Sequence, residues 1–195
     1  LFLQIEAYSV LAHVEYRDYY VHEYLATIQY YHVLVYQLRL VDKLTPCGEN
    51  EQTKKTIYKI TDNYLCFWYR YLFRFKSYYD IIGCEDAARS IMDDISNYMG
   101  SAFEHICQQY MFRMAVAKKL PFAPAAIGKW WGNNPQKKMQ DDVDVLCLDI
   151  TGQKAIFCEC KFRNQPFDIK EYDDLIAASN IFSQVKEKYY YIFAK

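Results

Sequence analysis

Two apolar segments joined by a short turn constrain this chain more than any other feature. Residues 143–150 read VDVLCLDI and residues 154–162 read KAIFCECKF. Apolar residues fall on both parities of each run, so the pair reads as a hairpin buried on both faces. A sheet covered on both sides needs a layer above and a layer below, which points to an α/β core. Yet Asp142, Asp144, Glu159 and Lys161 lie in this hairpin. A two-residue turn at Thr151-Gly152 gives pairs whose numbers sum to 303. Asp144 then faces Glu159, and Asp142 faces Lys161. A turn moved to Gly152-Gln153 sets Asp144 against Lys161 instead. In either register strict alternation puts all four charges on one face, with Cys158 and Cys160 on the other.

Carboxylates opposed on a sheet repel, and in a dry setting one takes up a proton unless a cation lies between them. A divalent ion with oxygen ligands resolves the conflict, and Mg²⁺ suits hard carboxylate donors. Lys161 beside such an ion is placed to hold a water or a phosphate oxygen. These are the parts of metal-assisted phosphodiester hydrolysis. Glu104 is a fourth candidate, in the segment GSAFEHICQQYMF. It falls at the margin of a helical face made by Ala102, Phe103, Ile106, Cys107, Tyr110 and Met111. The blander reading is a solvated Glu104 and an Asp142–Lys161 salt bridge at the hairpin's open end. The metal reading demands that Glu104, Asp144 and Glu159 converge. Separation, or a side chain lodged between them, counts against it.

Composition narrows the surroundings. The chain has 195 residues, 23 basic and 24 acidic, so a strongly basic nucleic-acid binder is not indicated by bulk charge. Aromatic residues reach 18%, which implies a large aromatic core or patches that want a partner. The most apolar stretch, Tyr64 to Phe75, is interrupted by Arg70 and Arg74, so no membrane span is expected. Seven cysteines without Cys-x-x-Cys spacing read as reduced core residues rather than a zinc site, which suggests a cytoplasmic location. The first residues, LFLQIEAYSV, read as the start of a helix and not as a signal peptide.

Along the chain, helices are expected over residues 1–14, 20–28 and 30–41, ended by Pro46. A polar stretch over 47–55 and a strand at 56–60 follow, in the outline of a winged helix with a two-stranded wing. Asp62 reads as the N-cap of a helix over 63–79, closed by Gly83. Separate helices are expected at 85–98 and 101–119, with Gly100 between them. From residue 126 the period changes to that of strands: 127–131, 143–150 and 154–162. A helix over 168–182 and a last strand at 188–193 complete the pattern. This gives a winged-helix-like region 1–75, a helical connector 76–98 and an α/β domain 99–195. Of Trp130 and Trp131, at least one should be core. Lys129, Lys137 and Lys138 flank the loop beside the candidate site, where they would meet phosphates or simply solvate the loop.

The segments SAFEHICQQY, IGKWWGNNP, DDVDVLCLD and FCECKFRN, with YKITDNYLCFWYRYL upstream, resemble the C-terminal domain of archaeal and bacterial ATPases, domain of unknown function 234. That domain is similar to the PD-(D/E)XK, or restriction-endonuclease-like, nuclease superfamily. The resemblance covers roughly residues 20–195. It implies an α+β chain: a helical winged-helix-like region, then a PD-(D/E)XK domain. It implies catalytic Asp144, Glu159, Lys161 and Glu104, the three acids holding Mg²⁺ and the lysine stabilising attack on phosphate. It implies the C-terminal part of a larger protein whose nucleotide-binding domain is not in this sequence, since no Gly-x-x-x-x-Gly-Lys-Ser/Thr occurs.

Two features depart from the family. Its members carry Gly where the third helix ends, and this chain has Arg39. The third helix itself, YYHVLVYQLRLV, offers only His32, Gln37 and Arg39 as polar or basic groups, and residues 1–75 hold 8 basic and 8 acidic residues. An apolar helix there favours packing on another domain or a second copy over gripping DNA. Two functions therefore stand side by side. One is a Mg²⁺-dependent nuclease or nuclease-like DNA-binding module. The other is a non-catalytic interaction or regulatory module docking to an ATPase domain or a homodimer mate.

Overall fold

A computed structural model describes residues 33, 37–73, 75–135 and 137–195. The chain divides into two compact units, Leu1–Leu44 with Ile57–Ile91, and Thr45–Thr56 with Met92–Lys195. The helices expected over 1–14 and 20–28 lie outside the described residues, as does most of 30–41.

In the first unit the described residues are Val33 and then those from Gln37 onward. The Leu38 N–H reaches the Val33 carbonyl, and Arg39 takes a left-handed φ of 50°. Strand β1, Val41–Leu44, follows and pairs antiparallel with β2, Ile57–Ile60, from Val41↔Ile60 to Leu44↔Ile57. The two strands form a separate two-stranded sheet. Asp62 caps α1, Asn63–Phe67, accepting from the Leu65 N–H at 2.7 Å. The helix expected to run to residue 79 does not continue as one α-helix. It widens to a π-helical turn, Trp68–Phe73, then restarts as α2, Lys76–Ile82. The π turn carries a run of aromatic contacts, including Trp68 on Phe73 and Phe67 on Tyr71. Gly83 closes α2 at φ 82°.

Helix α3 runs unbroken from Cys84 to Val116. Gly100 does not divide it, contrary to the sequence expectation. A single interior Gly costs about 1 kcal/mol relative to Ala, too little to stop a helix with long flanks.

The second unit is a four-stranded sheet in the order β3-β4-β5-β6. Its strands are β3, Pro124–Asn134; β4, Met139–Asp149; β5, Lys154–Lys161; and β6, Glu187–Ala194. The first three form an antiparallel meander. Helix α4, Ile169–Ser179, then carries the chain over so that β6 lies parallel to β5. Asp168 and Glu171 close a reciprocal capping box at the start of α4. The observed β4–β5 pairs run from Val145↔Cys158 to Leu148↔Ala155. Each sums to 303, the first of the two registers expected. The turn is longer than two residues, however. Asp149 accepts hydrogen bonds from the Lys154 and Thr151 N–H groups and the Thr151 hydroxyl.

Both faces of the sheet are covered, as the apolar parity of its strands requires. One face buries Trp130, Val143, Leu146, Ala155 and Phe157 with Leu175 and Ala178 of α4. The other buries Val145, Cys147, Ile156, Cys158 and Cys160 with Cys107 and Met111 of α3. All seven cysteines are free, and five are buried. Burial drives the Cys47 and Cys147 thiols up to about 12, so these are small core groups and not nucleophiles.

Segment Thr45–Thr56, which links β1 to β2, belongs to this second unit. The Cys47 N–H donates to the Lys129 carbonyl at 2.8 Å, and its Sγ contacts the Leu146 carbonyl. The Trp131 indole donates to the Lys55 carbonyl at 2.9 Å. Trp130, not Trp131, is the core tryptophan, packed edge-on to Phe182.

Among the described residues, no helix is long and apolar enough to cross a membrane.

Candidate functional site

The pairing of β3 with β4 contains an irregularity that shapes the site. Gly128 pairs with Leu146, and the next pair is Trp130 with Val143. Lys129 therefore stands alone against two residues, Asp144 and Val145. This is a β-bulge, a device that bends a strand and re-aims side chains. Its effect is visible in the cores. Val143 and Leu146 share the α4 face, whereas Val145 and Cys147 share the α3 face. Alternation is thus reset at Asp144. The expectation that Asp142, Asp144, Glu159 and Lys161 all share one face fails for this reason.

The charges form two neighbouring groups instead. On the α3 side Lys129 Nζ lies 2.9 Å from Glu104 Oε2, 3.0 Å from Asp142 Oδ2 and 3.3 Å from Asp144 Oδ1. On β5 Glu159 pairs with Lys161. By alternation with Cys158 and Cys160, that pair belongs to the α4 side. Asp144 joins the two groups, because its second oxygen accepts the Cys160 N–H at 2.9 Å. Asp144 is the most enclosed acid, its side chain 11% exposed, while that of Asp142 is 56% exposed. The cluster is open to solvent on the Asp142 side.

Electrostatics follow from this packing. Burial alone would lower the Lys129 ammonium. The bond to Glu104 and the charges of Glu104, Asp144 and Asp142 outweigh it and raise Lys129 well above the ordinary lysine value. Lys161 is likewise depressed by burial but raised on balance, by Glu159 first and then Asp144 and Glu171. Both lysines stay protonated at neutral pH. Glu159 is raised, chiefly by burial and also by Asp144 and Asp142, against the opposing pull of Lys161. Within the Lys129 group three carboxylates meet one ammonium, a formal surplus of two negative charges.

The donor set is all oxygen, which fits Mg²⁺ chemically. Among the described residues, however, no three acidic, His or Cys side chains are arranged to share one ion. The point on which Glu104, Asp142 and Asp144 converge is taken by Lys129. The convergence that the metal reading demands is present in part, and so is the lodged side chain that counts against it.

The three lysines expected to meet phosphates are differently placed. Lys129 is committed to the acids. Lys137 is tied to the β3–β4 turn, its N–H on Asn134 and its Nζ 3.1 Å from Asp141. Lys138 is exposed in the turn at φ 53°. Sequence reasoning missed the role of Lys129 as internal cation. The available signal was Val143 and Val145 flanking Asp144, two core residues that cannot both face the α3 side once Trp130 and Ile127 are placed. It also missed Cys47, read as the start of a polar separator and found in the core.

An α+β unit with an acidic cluster at the mouth of its sheet is the class of protein seen here. Residues 68–174 match the family model of archaeal and bacterial proteins of unknown function, domain of unknown function 234. The chain belongs to this family. It is also 28% identical over 165 residues to an uncharacterized protein of Methanocaldococcus jannaschii, an alignment covering 82% of this chain and 35% of the relative. The chain thus spans about a third of that relative's length. No solved structure matches the chain.

Proposed function

We propose that the second unit is a PD-(D/E)XK-like module for Mg²⁺-dependent phosphodiester chemistry on nucleic acid, with Lys129 competing with the metal for its carboxylates. We place it, with the winged-helix-like first unit, at the C-terminal end of an ATPase-family protein. One observation supports the reading above the others. Glu104 from a helix, and Asp142 and Asp144 from a strand, bring oxygens within 3.3 Å of a single cationic nitrogen. Such convergence costs desolvation and repulsion that only a cation offsets. Asp144 and Glu104 would hold Mg²⁺, with Glu159 adjoining. When bound, the ion would neutralise phosphate charge and acidify a water. Lys161, held protonated by Glu159, presents a positive charge to a phosphate oxygen. Glu159, whose acidity burial weakens, is suited to take up a proton. Lys129 has a side chain 35% exposed and a flexible stem, so it can swing toward solvent. It argues against a standing metal centre and for a displaceable one.

The test is calorimetric titration with Mn²⁺ or Mg²⁺ of the wild type, Asp144→Ala and Lys129→Met. Binding should be weak in the wild type, lost in Asp144→Ala and about 10-fold tighter in Lys129→Met, as expected if a competing charge worth about 1.4 kcal/mol is removed. Absence of binding in both wild type and Lys129→Met overturns the metal reading.

A second reading is a non-catalytic regulatory module docking to an ATPase domain or a second copy. The internal neutralisation by Lys129 favours it, since the cluster then needs no metal to be satisfied. Under it neither wild type nor Lys129→Met takes up a divalent ion.

A further inference from the structure

Beside the carboxylate cluster, a cavity of about 270 Å³ opens between α3 and β3. It is lined by His105, Gln108, Gln109, Phe112, Arg113 and Ile127. His105 directly follows Glu104 in α3. Gln108 reaches across to β3, its Nε2 donating to the Ile127 carbonyl at 3.4 Å, and forms the floor. His105 and Gln109 are hydrogen-bonded at 2.9 Å along the outer wall. Phe112 is 61% exposed. Among the described residues no ring stacks on Phe112, and no hydrogen bond or ion pair engages the Arg113 side chain, whose backbone carbonyl accepts the Ala117 N–H. Lys118 and Lys119 follow just beyond the helix, both exposed.

A bare aromatic face beside an unpaired guanidinium, with amide side chains between, is the chemistry that holds a nucleotide. The ring stacks on a base, the cation takes a phosphate, and the amides meet base edges. The volume lies just below the ~300 Å³ at which pockets for whole small molecules begin, so it has room for a single base and sugar. Phe112 lies eight residues beyond Glu104, roughly 12 Å along the helix. A strand lying in the groove would therefore present a neighbouring nucleotide, not the one at the acids.

We propose that this groove is a subsite for single-stranded nucleic acid, in which Phe112 stacks on a base and Arg113 holds the adjoining phosphate. The proposal rests on the nucleic-acid part of the function proposed above but not on its metal. Its test is fluorescence anisotropy with labelled oligo-dT and oligo-rU in EDTA at several salt concentrations. A failed metal centre leaves that experiment untouched. Wild type should bind at least one of the two, and the better one tells DNA from RNA. Phe112→Ala should weaken binding about 10-fold, the loss of one stacked base. Arg113→Gln should weaken it and flatten the logarithmic salt slope by about 0.7, the release of one fewer counterion. Tyr78→Ala, an exposed aromatic of the first unit, should bind as wild type. Circular dichroism checks that each variant is folded. The proposal is overturned if wild type binds neither oligomer, or if both groove variants bind like wild type. It is overturned equally if Phe112→Ala acts only by dissociating an oligomer seen in sedimentation, which would make the face a protein contact.

Discussion

Ribbon β1–β2 and hairpin β4–β5 each register four antiparallel residue pairs, yet they live in opposite surroundings. In the hairpin Val145, Leu146, Cys147, Ala155, Ile156, Phe157 and Cys158 are all 0% exposed. In the ribbon Ile57 is 45% and Tyr58 44% exposed. Backbone hydrogen bonding is the same in kind, and its net contribution per bond is small. The difference is the covering. α3 and α4 sandwich the hairpin, and the apolar area removed from water there carries the stability. A two-stranded ribbon cannot stand alone in water. This one has the loop between its strands anchored by Cys47 and Lys55 to β3 and β4.

The largest expected effect tests that contrast directly. Phe157→Ala removes a ring that packs on Phe182 and Tyr190 in the sealed core. It should cost about 3–5 kcal/mol. Ile57→Ala in the ribbon should cost about 0.5 kcal/mol or less. Urea titrations of the two variants give both figures, and comparable losses would break the comparison.

A middle-sized effect concerns two left-handed residues. Gly48, at φ 82°, lies in the loop, where an added Cβ would come 2.6 Å from Leu148 Cδ1. Gly48→Ala should cost about 1–3 kcal/mol through the backbone alone, with Leu148 forced to shift as well. Arg39 carries a similar φ of 50° before the ribbon. Arg39→Gly should stabilise by about 1 kcal/mol, by relief of that backbone strain. Opposite signs in thermal melts would sharpen the comparison; equal signs would show that the ribbon's entry is held by its side chains.

The smallest effect is at the hairpin's turn. Asp149 is pulled down to about 2, first by the Thr151 hydroxyl and then by the Lys154 N–H. A folded-state value below the unfolded carboxylate value of ~3.9 means the contribution is complete above that value and lost as pH falls. The wild-type advantage over Asp149→Asn in denaturation midpoint should be flat above pH 5 and close between about pH 4 and pH 2. An advantage that persists at pH 2 would mean that the turn is held by something other than this carboxylate.

Much of the sheet was legible because burial on two faces leaves a mark that local noise does not erase. VDVLCLDI and KAIFCECKF carried the strands, and the observed sum of 303 was one of two registers that parity allowed. The N-cap at Asp62 and the stop at Gly83 were legible because caps are local chemistry. The unbroken α3 was not, because whether Gly100 ends a helix depends on flanks that pack far away in sequence. The bulge was not, since a single extra residue at Asp144 is decided by what Lys129 meets across the strand. The expected convergence was of Glu104, Asp144 and Glu159; Glu104 and Asp144 do meet on one nitrogen, but the third acid there is Asp142, while Glu159 pairs with Lys161. The identity of the cation between them was not legible, because Lys129 sits fifteen residues upstream of Asp144 on a strand whose facing depends on that same bulge.

Anchorage of the 45–56 loop bears on the order in which this chain can be made. Cys47 and its partner carbonyl at Leu146 are 99 residues apart. On the ribosome the ribbon's tip emerges with nothing to hold it, and some hundred further residues must follow before its seat exists. Until then the Cys47 N–H has only water to bond. The same separation means that a fragment beginning at Met92 would carry the sheet without one of its core residues. It would also leave the Lys129 carbonyl and the Trp131 indole without their partners. The second unit is one body in space but two pieces in sequence, and a cut between them removes part of the wall behind the residue that fills the acidic cluster.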